Sequence, residues 1–296
     1  MKLQIFTADA FSSRPFDGNP AAVVPLTEDV NDETLQKIAS EMNLSETAYI
    51  RPIGSGLDWT EAGRFSLRWF TPVKEIRLCG HATLASSHVI FSCLGNKNKE
   101  IKFETLSGVL VVRREDNQLV MDFPANPAVA LDSKQTPLLA PLVEASTTTL
   151  RTKVQDVKLC SAIKYLLIRF NDSVTRKDLE NLQPNYSEMA KVHDGSLVMG
   201  VILTIAGDAH KGGSSKYHVF SRFLAPLYGV NEDPVTGSAH TVLGPYWTEE
   251  LGTKELLCRQ CCKRGGDVTV SIRDCGQRVY LKGVATTVIN GQISID

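Results

Sequence analysis

The sequence predicts an α+β protein assembled from two similar halves. Three observations carry this reading. The chain is 296 residues long, and at roughly 100–200 residues per domain two domains are expected. Alternating apolar segments recur along the chain, interrupted by only a few stretches of helical periodicity. A strand–turn–glycine–helix pattern also occurs twice, about half a chain apart.

The elements follow in order. Leu3, Ile5 and Thr7 alternate with polar neighbours and open the chain with a strand. Gly18-Asn19-Pro20 forms a turn into a buried strand, Ala21–Val24. Asn31 and Asp32 can cap a helix whose apolar face is Leu35, Ile38 and Met42. Glu46 follows at the entry to the strand Thr47–Ile50, a helix-to-strand junction of the kind that projects side chains into clefts. Phe65, Leu67 and Trp69 mark another strand, and Gly80 opens a helix with Leu84, Ala85, His88 and Val89 on one face and Gly95 as its stop. A β-rich stretch covers Ile101–Phe123, and Pro124-Ala125-Asn126-Pro127 reads as a linker. The Pro- and Thr-containing segment after it carries no clear period. Strands resume at Lys164–Phe170, Gly200–Ile205 and Tyr217–Phe223. A helix after Gly237 presents Val242, Leu243, Tyr246 and Trp247, with Pro245 expected to bend or loosen it. Asp267–Ile295 reads as hairpins. The expected division is residues 1–124, completed by strands from 278–296, and residues 125–277.

Composition narrows the function. Hydrophobic residues are 43%, charged residues 22% and the net charge is −1. A phosphate-tracking surface needs an excess of Lys and Arg, so a nucleic-acid partner is not expected. The segment Met1–Ala10 lacks the apolar core of a signal peptide. No run approaches the ~20 apolar residues that cross a bilayer, so no membrane partner is expected. The seven cysteines are odd in number and scattered, which fits free thiols in a reducing compartment, the cytoplasm by default. Cys258, Cys261 and Cys262 supply at most half a zinc site, without the second Cys or His pair that completes a tetrahedral set, so no metal is expected. No Gly-x-Gly-x-x-Gly fingerprint, P-loop or Gly-x-Ser-x-Gly elbow is present, and nothing calls for a cofactor.

In the duplication, Arg68-Trp69-Phe70-Thr71-Pro72 recurs as Arg222-Phe223-Leu224-Ala225-Pro226, and Cys79-Gly80-His81-Ala82 as Thr236-Gly237-Ser238-Ala239. The prolines are 154 residues apart and the glycines 157. Each glycine opens a helix, whose unpaired N–H groups and partial positive charge make a site for a carboxylate. Two such helix starts facing each other would hold one small anion between the halves. Asp233 or Thr236 can equally serve as a plain helix cap. His81 can contact a ligand or cap its helix, and His88 and His240 read as packing or polar surface residues. Cys79 sits where a helix start lowers a thiol pKa, yet reads better as a small buried hydrophobe. From its local sequence alone, Glu46 reads as a solvated surface glutamate.

Four segments taken in order give these residues a context: Gly18-Asn19-Pro20-Ala21-Ala22-Val23, Asn43-Leu44-Ser45-Glu46-Thr47, Cys79-Gly80-His81-Ala82-Thr83, and Glu232-Asp233-Pro234-Val235-Thr236-Gly237-Ser238-Ala239-His240. Here the chain resembles, nearly end to end, the phenazine-biosynthesis PhzF-like family of the diaminopimelate epimerase fold. The resemblance implies two barrel-like halves, each wrapping a central helix, with the active site between them. It implies that Glu46 is the acid/base, that His81, Asp233 and Ser238 touch the substrate, and that backbone N–H groups at Gly80, Gly237 and Ser238 hold its carboxylate. It also implies a homodimer, and a WD-repeat protein as a partner of an animal member. The related epimerases use two cysteines. Here Cys79 matches the first position but Thr236 holds the second, and a hydroxyl cannot replace a thiol of pKa near 8.5. The expected function is therefore a cofactor-independent isomerase that moves a proton on a small carboxylic acid with one glutamate. The glutamate's pKa is expected to be raised by burial. The alternatives are a dehydratase or epimerase acting on a hydroxylated amino acid, and a catalytically silent protein-binding module.

Overall fold

The structure, a computed structural model, describes residues 1–54, 58–209, 213 and 215–295. The chain divides into two compact units, Met1–Phe123 with Tyr280–Asp296, and Pro124–Val279. The first contains β1 (Lys2–Ala10), β2 (Asn19–Pro25), α1 (Asp32–Met42), β3 (Glu46–Pro52), β4 (Arg64–Phe70), β5 (Glu75–Ile76), α2 (Gly80–His88), β6 (Glu100–Thr105), β7 (Gly108–Glu115) and β8 (Gln118–Pro124). The second contains β9 (Val129–Ala130), α3 (Gln135–Thr147), β10 (Val154–Cys160), β11 (Tyr165–Phe170), α4 (Arg176–Asn181), α5 (Tyr186–Val192), β12 (Gly200–Ala206), β13 (Val219–Leu224), β14 (Glu232–Asp233), α6 (Gly237–Leu251), β15 (Glu255–Gln260) and β16 (Gly266–Arg273). The chain re-enters the first unit within β17 (Arg278–Gly283) and ends there in β18 (Ala285–Ser294).

Strand pairing repeats between the units. In the first, β18, β1 and β2 pair antiparallel, β2 and β3 parallel, β3 and β4 antiparallel, β4 and β6 parallel, and β6, β7 and β8 antiparallel. In the second, β9, β10 and β11 pair antiparallel, β11 and β12 parallel, β12 and β13 antiparallel, β13 and β15 parallel, and β15 and β16 antiparallel. Even the register matches. Thr47 lies opposite Phe70, and Val201 opposite Leu224, each residue 154 positions after its counterpart. A parallel pair needs a crossover; α1 supplies it between β2 and β3, and α4 and α5 between β11 and β12. The duplication is thus structural, and the fold is the α+β, diaminopimelate epimerase-like one.

Local chemistry explains the elements around the central helices. Asn31 caps α1 by accepting the Thr34 N–H at 2.9 Å, and Asn43 ends it in the left-handed conformation at φ 49°. Leu35, Ile38 and Ala39 then bury against Leu3, Ile5, Ala22, Val24, Tyr49 and Phe70 of the sheet. At Gly18, with φ +70°, a side chain would meet the Ala10 carbonyl oxygen at 2.2 Å, so the turn into β2 needs glycine. Helix α2 buries seven of its nine residues and is built from small ones, which lets β1, β2, β3 and β18 approach it closely. Its hydroxyls do not go unpaired in this setting: Thr83, Ser86 and Ser87 donate to the carbonyls of Cys79, Ala82 and Thr83 at 2.5, 2.7 and 2.8 Å.

Helix α6 runs unbroken through Pro245. Proline has no N–H to give to Thr241 four residues earlier. That carbonyl accepts the Asn126 N–H at 3.1 Å instead, and the Asn126 side chain donates to the Thr241 hydroxyl at 2.9 Å. The supposed linker thus compensates for the proline. The unassigned segment after it contains α3, whose Leu139, Leu142, Val143 and Ala145 join the core of the second unit. Pro141 and the run of hydroxyl residues from Ser146 to Thr149 break its apolar period. Helix α4 starts with a capping box of Thr175 and Asp178. Among the described residues no helix is long and apolar enough to cross a membrane.

Candidate active site

Two chain reversals bring one acid and one base together in the first unit. After α1 ends at Asn43, Leu44 packs back on the helix core, and Ser45 leads into β3, whose first residue, Glu46, lies in register with Ala21 of β2. On the other side Cys79 is the N-cap of α2, followed by Gly80 and His81. The Cys79 side chain makes no regular cap at this helix start.

The side chains form a chain through the imidazole. His81 Nε2 is 3.1 Å from Glu46 Oε2 and 3.3 Å from the Ser45 hydroxyl, and His81 Nδ1 is 3.4 Å from Cys79 Sγ. The Glu46 and His81 side chains are 14% and 6% exposed. Oε2 lies at ion-pair distance from the imidazole, and Ser45 and Cys79 also bear on the Glu46 carboxylate.

Burial acts most strongly on Glu46 and pushes its carboxyl up, but the His81 charge, helped by Ser45 and Cys79, outweighs it and holds Glu46 below the ordinary glutamate value. The expected rise through burial is therefore not found. For His81, burial disfavours the charged ring, and the neighbouring Cys79 and Glu46 overcome that, raising it well above 6.5. Burial and the Glu46 charge push Cys79 up, so the lowering expected at a helix start is absent and the group is a neutral thiol. The charge that keeps His81 protonated is then that of Glu46.

Glu46, Cys79 and His81 also offer ligand atoms within 4.8 Å of one another, the one group of three that a metal could use among the described residues.

The second unit has the corresponding helix start without the acid. Gly237 and Ser238 open α6 after Thr236, which again makes no side-chain cap. The Thr236 hydroxyl donates to Asp233, and its N–H to Gln260 Oε1 at 2.9 Å. Gln260 returns a bond to the Asp233 carbonyl at 2.7 Å. Ser238 Oγ lies 3.0 Å from the Tyr165 hydroxyl, a phenol kept neutral by burial. The position in register with Glu46 is Gly200, paired with Tyr165 as Glu46 is with Ala21. A Cβ there would meet the Phe223 ring at 2.3 Å, so this repeat has no room for a second carboxylate. His240 is fully buried, bonds the Thr236 carbonyl through Nδ1 at 2.8 Å, and is pushed down to about 4 by burial. His88 meets Thr287 at 2.9 Å. Both are packing residues.

Several supports were missed in the sequence. Arg68 grips Glu75 with two bonds of 2.7 and 2.8 Å, and Arg222 grips Glu232 with the same two lengths. Each pair fastens the strand before a site helix, and each arginine reaches a neighbouring helix, Asp32 of α1 or the Leu179 and Leu182 carbonyls near the end of α4. The repeated arginine was visible, but its acids follow seven and ten residues later, so an ungapped comparison does not align them. Tyr165 and Gln260 lie far from the motifs and had no sequence signal.

Comparison with known proteins gives the family of the chain and agrees with its fold. The profile of the PhzC-PhzF family, described as phenazine biosynthesis-like protein, matches residues 8–291. The chain is 45% identical over 294 residues to phenazine biosynthesis-like domain-containing protein 2 of Mus musculus, covering 99% of this chain and all of that one. It is 39% identical over 297 residues to an uncharacterized isomerase of Pseudomonas aeruginosa, at full coverage of both. A crystal structure of a putative phenazine biosynthesis PhzC/PhzF protein from Clostridium difficile superposes with a TM-score of 0.79 at 33% identity, over 99% of this chain and all of the other. A hydroxyproline epimerase from Agrobacterium vitis shares the fold alone, with a TM-score of 0.54 at 11% identity over all of this chain and 93% of the other.

Proposed function

The chain belongs to the PhzC-PhzF family of phenazine biosynthesis-like proteins, and from that premise we propose that it is an isomerase-type enzyme that moves a proton on a small carboxylic acid with Glu46 as its single acid/base. The observation that carries this reading is the buried Glu46 carboxylate 3.1 Å from the buried His81 imidazole, together with Gly200 at the corresponding place in the second repeat. The isomerase name of the Pseudomonas aeruginosa relative supports it.

In the proposed reaction ionised Glu46 removes a proton from a carbon next to a carbonyl or conjugated group. The electrons move into that group, and the His81 imidazolium stabilises the resulting oxyanion. His81 thereby exchanges one counter-charge for another: the Glu46 carboxylate before transfer, the substrate anion after it. This exchange offsets the low starting basicity of Glu46, because the charge that depressed it is engaged elsewhere in the transition state. Neutral Glu46 then returns the proton to a different carbon. Gly80 N–H at the uncapped start of α2 is a substrate contact in this scheme, and at the start of α6 Asp233, Gly237 and Ser238 are proposed as substrate contacts in their own right.

The test is a panel of unsaturated and hydroxylated small carboxylic acids incubated in D₂O and followed by mass spectrometry. Wild type is expected to convert or label at least one acid. Glu46→Gln should be slower by about 10²–10⁴-fold, the range for loss of a general base. Equal rates for the two proteins would reject Glu46 as the acid/base.

A further inference from the structure

His81 has two ring nitrogens with different surroundings. Nε2 faces Glu46 and Ser45, whereas Nδ1 lies 3.4 Å from Cys79 Sγ, within the reach of a sulfur hydrogen bond. An imidazolium carries a proton on each nitrogen, and in a site this buried each N–H needs an acceptor. We propose that Cys79 is a positioning residue: its sulfur accepts the Nδ1–H of His81, so that Nε2 is the nitrogen that exchanges protons and charge with Glu46 and the substrate.

The wider setting supports this assignment. Cys79 is 8% exposed and is the N-cap residue of α2, two positions before His81. The Ala82 backbone of the first turn of α2 also bears on the sulfur, which fixes its place beside the ring. The titratable groups that act on His81 are Cys79, from the start of its own helix, and Glu46, from the first residue of β3. In the second repeat, where the residue after the glycine is Ser238, the counterpart Thr236 turns its hydroxyl to Asp233 instead. The Cys79 contact thus goes with the histidine and is not a general requirement of this helix start. This role rests on the Glu46-centred reading for its catalytic consequence, but its test needs neither substrate nor turnover.

The experiment is ¹⁵N-histidine NMR of the ring nitrogens across pH, on wild type, Cys79→Ser and Cys79→Ala, with Cys79→Val as a second acceptor-free variant should alanine fail to fold. Serine keeps an acceptor and should leave the His81 midpoint and Nδ1 signal close to wild type. Alanine or valine removes it and should lower the midpoint by about one pH unit, with an altered Nδ1 shift. Identical titrations in all variants would overturn the proposal, and so would a serine variant shifted as far as the acceptor-free ones. Neither result bears on whether Glu46 moves a substrate proton, which the D₂O panel reads separately.

Discussion

The Glu46–His81 pair has a pH signature that follows from its two shifts. Glu46 is held below its ordinary value, so its contribution to stability is present above about 4.5 and is lost as pH falls through the folded value. His81 is raised, so its contribution is full below about 6.5 and is lost as pH rises through its folded value. The difference in melting temperature between wild type and Glu46→Gln should therefore be greatest between those limits and shrink on either side. A difference independent of pH would show that the pair is not charged in the folded protein. Little of this was legible beforehand. Glu46 stood out only through resemblance, because a glutamate after a helix is ordinary, and the sequence places His81 thirty-five residues away. Without the fold that joins them, burial alone suggested a raised carboxyl. The correction comes from a partner that no local pattern reveals.

At the level of elements, the repeated arginine–glutamate clamps differ in burial, and the difference predicts unequal costs. Arg222 and Glu232 side chains are 6% and 18% exposed, against 34% and 23% for Arg68 and Glu75. Removing one member of a buried pair strands a charge, at a cost of roughly 3–5 kcal/mol. The wetter pair is screened and should contribute about 1 kcal/mol or less. Denaturant unfolding of Glu232→Ala and Glu75→Ala measures both. Equal losses would mean that the second clamp is as solvated as the first. Strands and site helices were readable because their periods are clean: Leu3-Ile5-Thr7 and Phe65-Leu67-Trp69 alternate, and a glycine opens each helix. Helices α3, α4 and α5 were not. Prolines interrupt the first, and the other two have six and seven residues, too short to display a face.

For the whole molecule, duplication comes with an exchange of last strands. The ninth strand of the first repeat, β9, pairs with β10 of the second, and the ninth strand of the second, β18, pairs with β1 of the first. The two contributions are unequal: β18 runs beside nearly all of β1, from Lys2↔Ser294 to Ala10↔Ala285, whereas β9 is two residues long. Ending the chain after Gly283 should therefore expose the β1 amides to hydrogen exchange while those of α6 stay protected. Unchanged protection of β1 would show that the closing strand is dispensable. The repeat and its half-chain offset were visible in sequence. The return of the last strands to the first half was expected, but the reciprocal pairing of β9 was not, since β9 is too short to register and pairing partners are not encoded locally.

Most direct for the central claim is a comparison of wild type and Glu46→Gln incubated with a metabolite extract in D₂O, with small acids followed by chromatography and mass spectrometry. A compound that changes retention time or gains deuterium with wild type alone is the predicted result; retention time is needed because a single base can return the original proton unlabelled. Matching profiles at high enzyme concentration, with both proteins folded, would contradict proton transfer by Glu46.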